Sequence, residues 1–294
     1  GNDQALRFYR SKKSVFLMKV CLIGCGTIGS ELAVAIDSGK AGSATLIALF
    51  DTVENAALKL KLRLRKDNVA IFSNFSELAS SPEFKDADIV IEAASQAAAK
   101  TFSKHVVENK KDLLIMSVGA LADEFFLSQL VGVVSTNGNH IYVPSGAIAG
   151  IDAIRSVKGM LDSVTLTTTK NPRALAGAPF FNSEPTRLNS IKEKTLIYQG
   201  TAADAVDKFP ANINVAAVLS LAGIGVQRTK VKIIADPNIT VNQHQIEATG
   251  AFGEMSITVR NVPSANNPKT SFLAILSAIE CLRSICEPGI RVGT

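Results

Sequence analysis

The chain has 294 residues, of which 47% are hydrophobic and 19% charged, with no tryptophan. That balance excludes an intrinsically disordered chain and leaves aliphatic side chains to fill a core large enough for two domains. The formal charge of +5 is unevenly spread: residues 1–17 hold Arg7, Arg10, Lys12 and Lys13 against Asp3, a net of +3, leaving +2 for the rest. With no basic patch interleaved with aromatics, nucleic acid is not an expected partner.

Residues 1–17 read as an extension, because Met18-Lys19-Val20 resembles a natural start. The extension lacks the apolar run and small-residue cleavage site of a secretory signal. Val20–Ile23 is an apolar strand bounded by glycine, and Thr27–Asp37 is a helix ended by Gly39 and Gly42. Further strands follow at Thr45–Phe50, closed by Asp51, at Val69–Phe72, at Ile89–Glu92, at Leu113–Met116 and at His140–Val143, with a helix over Ala98–Asn109. Strands apolar throughout and alternating with helices predict a parallel sheet covered on both faces.

After Gly150 the texture changes. Val164–Thr169, Lys230–Ile234 and Met255–Val259 alternate with period two, which suits a mixed or antiparallel sheet with one face partly wet. A helix is expected over Asn214–Leu221, and a last one over Ser271–Cys286. The proline-rich stretch 172–187 reads as a mobile loop over a site. Ala211–Gln227, the longest charge-free run near the middle, is too short and polar for a membrane span, so a cytoplasmic, non-membrane protein is expected. Cys21, Cys25, Cys281 and Cys286 show no Cys-x-x-Cys spacing and read as buried reduced thiols; no metal site is expected.

The loop Gly24-Cys25-Gly26-Thr27-Ile28-Gly29 lies between a strand and a helix, and Asp51 ends the next strand 22 positions beyond Gly29. That context turns a generic glycine pattern into a dinucleotide site of the Rossmann type. Gly24 permits the tight turn, Gly26 admits the pyrophosphate to the helix N-terminus, and Gly29 lets helix and strand pack closely. Asp51 would accept from the adenosine ribose hydroxyls and repel a 2′-phosphate, favouring NAD while leaving NADP possible. Ala94 and Ser95 after the fourth strand, and Ser117–Ala120 after the fifth, are small enough to line the cofactor crevice. The fold class expected is therefore α/β, a Rossmann domain over 18–146, joined to a second α+β domain with a mixed or antiparallel sheet over 147–264. Residues 265–294 form a helix packing back on the first domain.

Of three histidines, His105 reads as a solvated helix residue and His140 as a turn residue, whereas a polar turn delivers His244 to the edge of a strand. A histidine titrating near neutrality suits proton transfer. The segments Leu22–Gly29, Tyr142–Gly150, Phe209–Ala217 and Asp236–His244, in that order, resemble the L-aspartate dehydrogenase family over nearly all of residues 18–294. The resemblance implies NAD(P)-dependent oxidative deamination of L-aspartate to iminoaspartate, released as oxaloacetate and ammonia or passed toward NAD biosynthesis. It also implies a homodimer or higher homo-oligomer, His244 as the active-site residue, and Ala147 and Asn214, rather than Asn212, as cofactor contacts. A substrate with two carboxylates needs cations, for which Lys170, Arg173 and Lys269 are candidates. The alternatives are a dihydrodipicolinate-reductase-like or homoserine-dehydrogenase-like enzyme, or a non-catalytic NAD(H)-binding protein.

Overall fold

The computed structural model describes residues 17–183, 187–210, 213–264, 267–287, 290, 292 and 293. Apart from Leu17, the N-terminal extension lies outside the described residues, as does Asn212.

The first half forms β1 (Met18–Ile23), α1 (Thr27–Asp37), β2 (Ala44–Phe50), α2 (Glu54–Lys61), β3 (Ala70–Phe72), β4 (Ile89–Glu92), α3 (Gln96–Glu108), β5 (Asp112–Ile115), α4 (Glu124–Asn137) and β6 (Ile141–Tyr142). Its six strands pair in parallel in the order β3-β2-β1-β4-β5-β6. The cause lies in the strands themselves: Val20, Cys21, Leu22, Ile89, Val90 and Ile91 are fully buried, which requires apolar cover on both sheet faces. The order reverses between β1 and β4, so the loops leaving their carboxyl ends diverge and open a crevice.

The second half contains α5 (Ile151–Ser156), β7 (Leu161–Lys170), β8 (Thr195–Thr201), α6 (Ile213–Ala222), β9 (Lys230–Ala235), β10 (Asn242–Gly250) and β11 (Gly253–Asn261). These strands build a mixed sheet in the order β11-β10-β7-β9-β8, with β7 antiparallel to β10 and parallel to β9. Val164, Leu166, Ile233, Ile246 and Ala248 on its inner face share an apolar cluster with Ile154 of α5 and Ala216 and Leu219 of α6. The opposite face is wetter: Glu247, Thr258 and Arg260 are exposed. The last helix, α7 (Phe272–Cys286), returns to the first sheet, where Ala278, Leu282 and Cys286 join the cluster of Met18, Val20 and Leu32.

The stretch from Pro172 is not an open loop. Residues 172–175 and 179–181 form short 3-10 turns, anchored by buried Leu175 and Phe181.

Candidate active site

The glycine loop fits a bound dinucleotide on steric grounds. Gly24 has φ +95°, and a Cβ there would stand 2.7 Å from the backbone of Ala93 and Ala94. A Cβ on Gly29 would strike the Gly24 carbonyl oxygen, whereas one on Gly26 would meet nothing within 4 Å. The open space thus lies where a pyrophosphate needs it. α1 starts directly after Gly26 with no side-chain cap and no acidic residue in its first turn, leaving the Thr27 and Ile28 amides and the helix dipole for an anion.

Asp51 holds this loop in place. Its Oδ2 accepts from Cys25 N at 2.8 Å and its Oδ1 from Val53 N at 2.9 Å. Each oxygen keeps a second lone pair for a ribose hydroxyl. The Cys25 thiol turns inward toward the Phe50 carbonyl, and burial pushes its pKa up to about 12, so it is an inert filler.

Glu92 belongs to no motif in the sequence. The last residue of β4, it is 1% exposed and organises both neighbouring loops. Oε1 accepts from Ala94 N at 2.8 Å, Ser95 N at 3.1 Å and Ser117 Oγ at 3.0 Å, while Oε2 accepts from Ser117 N at 3.1 Å. Burial raises its pKa, and these hydrogen bonds oppose the rise. Ser95 caps α3, its hydroxyl accepting from Ala98 N. An acid closing an apolar strand was the available signal.

The second half reaches these loops directly. Asn214, in the first turn of α6, accepts through Oδ1 from Gly119 N at 2.8 Å, and Gln96 Nε2 donates to the Pro210 carbonyl at 3.0 Å. A Cβ on Gly119 would collide with Ile213 and Gln96, so glycine is needed for the two halves to close. Ala147 is buried, and its carbonyl accepts from Asn261 Nδ2 at 2.8 Å. The remaining oxygen of Asn261, Oδ1, is buried without a partner.

His244 is the third residue of β10, an inner strand of the sheet, and is paired with Thr168 of β7 on one side and Val259 of β11 on the other. It is 5% exposed, and its Nδ1 stands 2.9 Å from Thr168 Oγ1. Burial first, and then the charge of Lys170, push its pKa down to about 3. The expectation of a histidine titrating near neutrality is therefore corrected, because a dry site beside a cation disfavours the imidazolium. Lys170 ends β7 two residues beyond Thr168 on the same face; it is 8% exposed, and burial lowers its pKa to about 8.

Of the other two candidate cations, only Arg173 has a described side chain. It is exposed and lines a cavity of about 780 Å³ together with Asn171, Gly177, Phe181, Asn189 and Pro237, a wall that does not include His244. Lys269 falls in the short strand Asn267–Ser271, and its side chain lies outside the described residues. His105 is not fully solvated as expected but half-buried, its ring 5.5 Å from that of Phe75 and 5.8 Å from that of Phe84. His140 is exposed. Among the described residues no helix is long and apolar enough to cross a membrane.

Comparison with known proteins matches both halves. A family model described as aspartate dehydrogenase, C-terminal, covers residues 152–285, and one described as homoserine dehydrogenase, NAD binding domain, covers residues 24–144. An L-aspartate dehydrogenase of Nitrosopumilus maritimus is 50% identical over 278 residues, spanning 95% of this chain and 100% of that protein. One from Methanosarcina barkeri is 45% identical with the same coverage. The crystal structure of aspartate dehydrogenase from Thermotoga maritima superposes with a TM-score of 0.73 at 28% identity, covering 94% of this chain and 99% of that one. A scyllo-inositol dehydrogenase of Lactobacillus casei, solved with NAD(H) and scyllo-inositol, shares the fold at 14% identity and a TM-score of 0.55, covering 91% of this chain and 88% of that one.

Proposed function

Because the chain belongs to the L-aspartate dehydrogenase family, we propose that it oxidises L-aspartate at Cα with a nicotinamide dinucleotide, giving iminoaspartate and then oxaloacetate and ammonia. The observation that carries this reading is the pairing of an uncapped glycine-loop helix in the first half with the buried cluster of His244, Thr168 and Lys170 in the second. The bound nicotinamide supplies a hydride acceptor; the chain supplies positioning and proton transfer.

In the first half, Gly24, Gly26, Thr27, Ile28 and Gly29 hold the pyrophosphate and Asp51 the adenosine ribose, which favours NAD over NADP. Ala94 and Ser95, fixed by Glu92, line the crevice, and Ala147 and Asn214 contact the nicotinamide end. When the Nδ1 proton of His244 is donated to Thr168 Oγ1, the Nε2 lone pair is free. Nε2 then takes the proton that the substrate ammonium must lose before Cα can release hydride. Once that proton has passed to solvent, Nε2 deprotonates the water that adds to the imine. Nε2 then passes that proton to the adduct nitrogen, the C–N bond breaks to release ammonia, and loss of the hydroxyl proton to solvent leaves oxaloacetate. A bound dicarboxylate brings negative charge to the cluster, which lifts the imidazole pKa from its depressed free-state value toward the working range.

The same reading divides the chain into a cofactor domain over 18–146, a substrate and oligomerisation domain over 147–264 and a C-terminal segment over 265–294. It includes a cytoplasmic homo-oligomer, and delivery of iminoaspartate to NAD biosynthesis as one use of the product.

The test is reduction of NAD and NADP at 340 nm across a panel of amino acids. Aspartate should be the preferred substrate; turnover of glutamate or alanine without aspartate refutes the reading. His244→Ala should keep NADH binding and lose about 10²- to 10⁴-fold in aspartate-dependent rate. Full activity in that variant removes His244 from the mechanism.

A further inference from the structure

Lys170 is an anomaly as a structural residue. A buried ammonium is costly unless paired, yet among the described residues no carboxylate and no hydrogen-bond partner offsets the burial of Lys170, which is the one cause of its lowered pKa. Its neighbours across the sheet carry no charge: they are Ala235 of β9 and, by the register of β7 with β10, the position of Asn242. The strand alternation places Lys170 on the face that carries Thr168 and His244, and its charge is felt by the imidazole. A cation retained at that cost, beside the proton-transfer group and without an internal counter-ion, is complementary to an anion that arrives from outside.

We propose that Lys170 Nζ receives a carboxylate of the substrate, and that this contact selects a dicarboxylic amino acid. The assignment rests on the reading of the chain as an aspartate dehydrogenase. It makes Lys170 a specificity-determining residue, with His244 handling protons on the neighbouring strand, opposite Thr168 and diagonal to Lys170. A bound carboxylate offsets the cost of the burial that lowers its pKa, so substrate and charge stabilise each other in the site. Arg173, three residues on, is exposed and so bears no such cost.

The experiment compares wild type with Lys170→Met, which keeps the length and apolar stem, and with Lys170→Arg, which keeps the charge. Steady-state kinetics with L-aspartate, competitive inhibition by succinate, NADH fluorescence titration and thermal melting are measured on each. Lys170→Met should raise KM for aspartate and Ki for succinate together by about a hundredfold, the loss of one charge-assisted contact, with kcat changed less than about tenfold. NADH affinity should stay within about twofold, Lys170→Arg should recover part of the KM, and the unliganded Met variant should melt higher than wild type because an unpaired buried charge is gone. A KM and Ki within about threefold of wild type would overturn the proposal, as would a Met variant that melts lower and loses NADH and succinate alike. If wild type does not turn over aspartate, the functional reading fails; the succinate titration, read as a melting shift, still decides whether Lys170 holds a carboxylate.

Discussion

Removing the Glu92 carboxylate in Glu92→Ala should damage the cofactor site more than any single change of similar size in the first sheet. Four donors converge on that carboxylate: the amides of Ala94, Ser95 and Ser117 and the hydroxyl of Ser117. The hydroxyl can rotate to another acceptor, but the three amides cannot. Each buried donor left unpaired costs about 1–3 kcal/mol. The Ala94 and Ser95 amides are only partly buried, so water replaces some of the loss there, whereas the Ser117 amide is buried. The sum is roughly 3–5 kcal/mol against a typical total stability of about 5–15 kcal/mol. Urea unfolding reads the stability, and NADH fluorescence reads the loops, which should lose at least about tenfold in affinity as they drift. Glu92→Gln retains one acceptor oxygen but turns an NH2 toward an amide, and should fall between. An Ala variant within about 1 kcal/mol of wild type that binds NADH normally would refute the role of Glu92 as the anchor of both loops.

Two further outcomes follow from the same geometry. Gly29→Ala drives a methyl into the Gly24 carbonyl, so the loop must shift; NADH affinity should fall by about a hundredfold or more while the far-UV circular dichroism is kept, and tight NADH binding would contradict the geometry of the loop. Lys170 and His244 are bases whose folded pKa lies below the unfolded one, so the unfolded chain binds more protons and stability is lost as pH falls, from about 10.5 to 8 for Lys170 and from about 6.5 to 3 for His244. The advantage of Lys170→Met over wild type in urea should therefore shrink by about 3 kcal/mol as pH rises from 8 to 10.5; a pH-independent difference would mean the ammonium is not desolvated.

The first sheet was legible because its strands carry their burial in their own composition: apolar runs closed by glycine or an acid. α4 was not, although Asp123 caps its start and Gly138 ends it with φ +77°. Its Val131-Gly132-Val133-Val134 run has strand-like propensity, and the Asp123 cap and packing against the sheet override it. β10 was legible only as an unbounded strand beginning near His244, for the opposite reason. Its outward Gln243, Gln245 and Glu247 mask the inward series His244, Ile246 and Ala248, so period two reads as a polar turn. The glycine loop could be read locally, but the worth of Glu92 depends on Ser117, 25 positions away, and the depressed pKa of His244 on its burial first and then on Lys170, 74 positions away. Burial and cross-strand register are tertiary facts, and no window of sequence contains them.

The join between the two halves bears most directly on chemistry. Hydride transfer tolerates little error in donor–acceptor position, and a displacement of about 1 Å is enough to cost about a hundredfold. Here the crevice is spanned by Asn214 to Gly119, Gln96 to Pro210 and Asn261 to Ala147, and a single apolar cluster runs from Ile23 and Ile115 of the first sheet through Val118 and Ile213 to Ile246 of the second. A hinge would need this cluster to part and expose apolar surface at about 25 cal/mol per Å². The arrangement argues for a crevice whose walls are set on folding, with substrate selection left to side chains already in place. On that view the buried charge of Lys170 and the neutral His244 are strains that the fold carries in the free state and that substrate relieves.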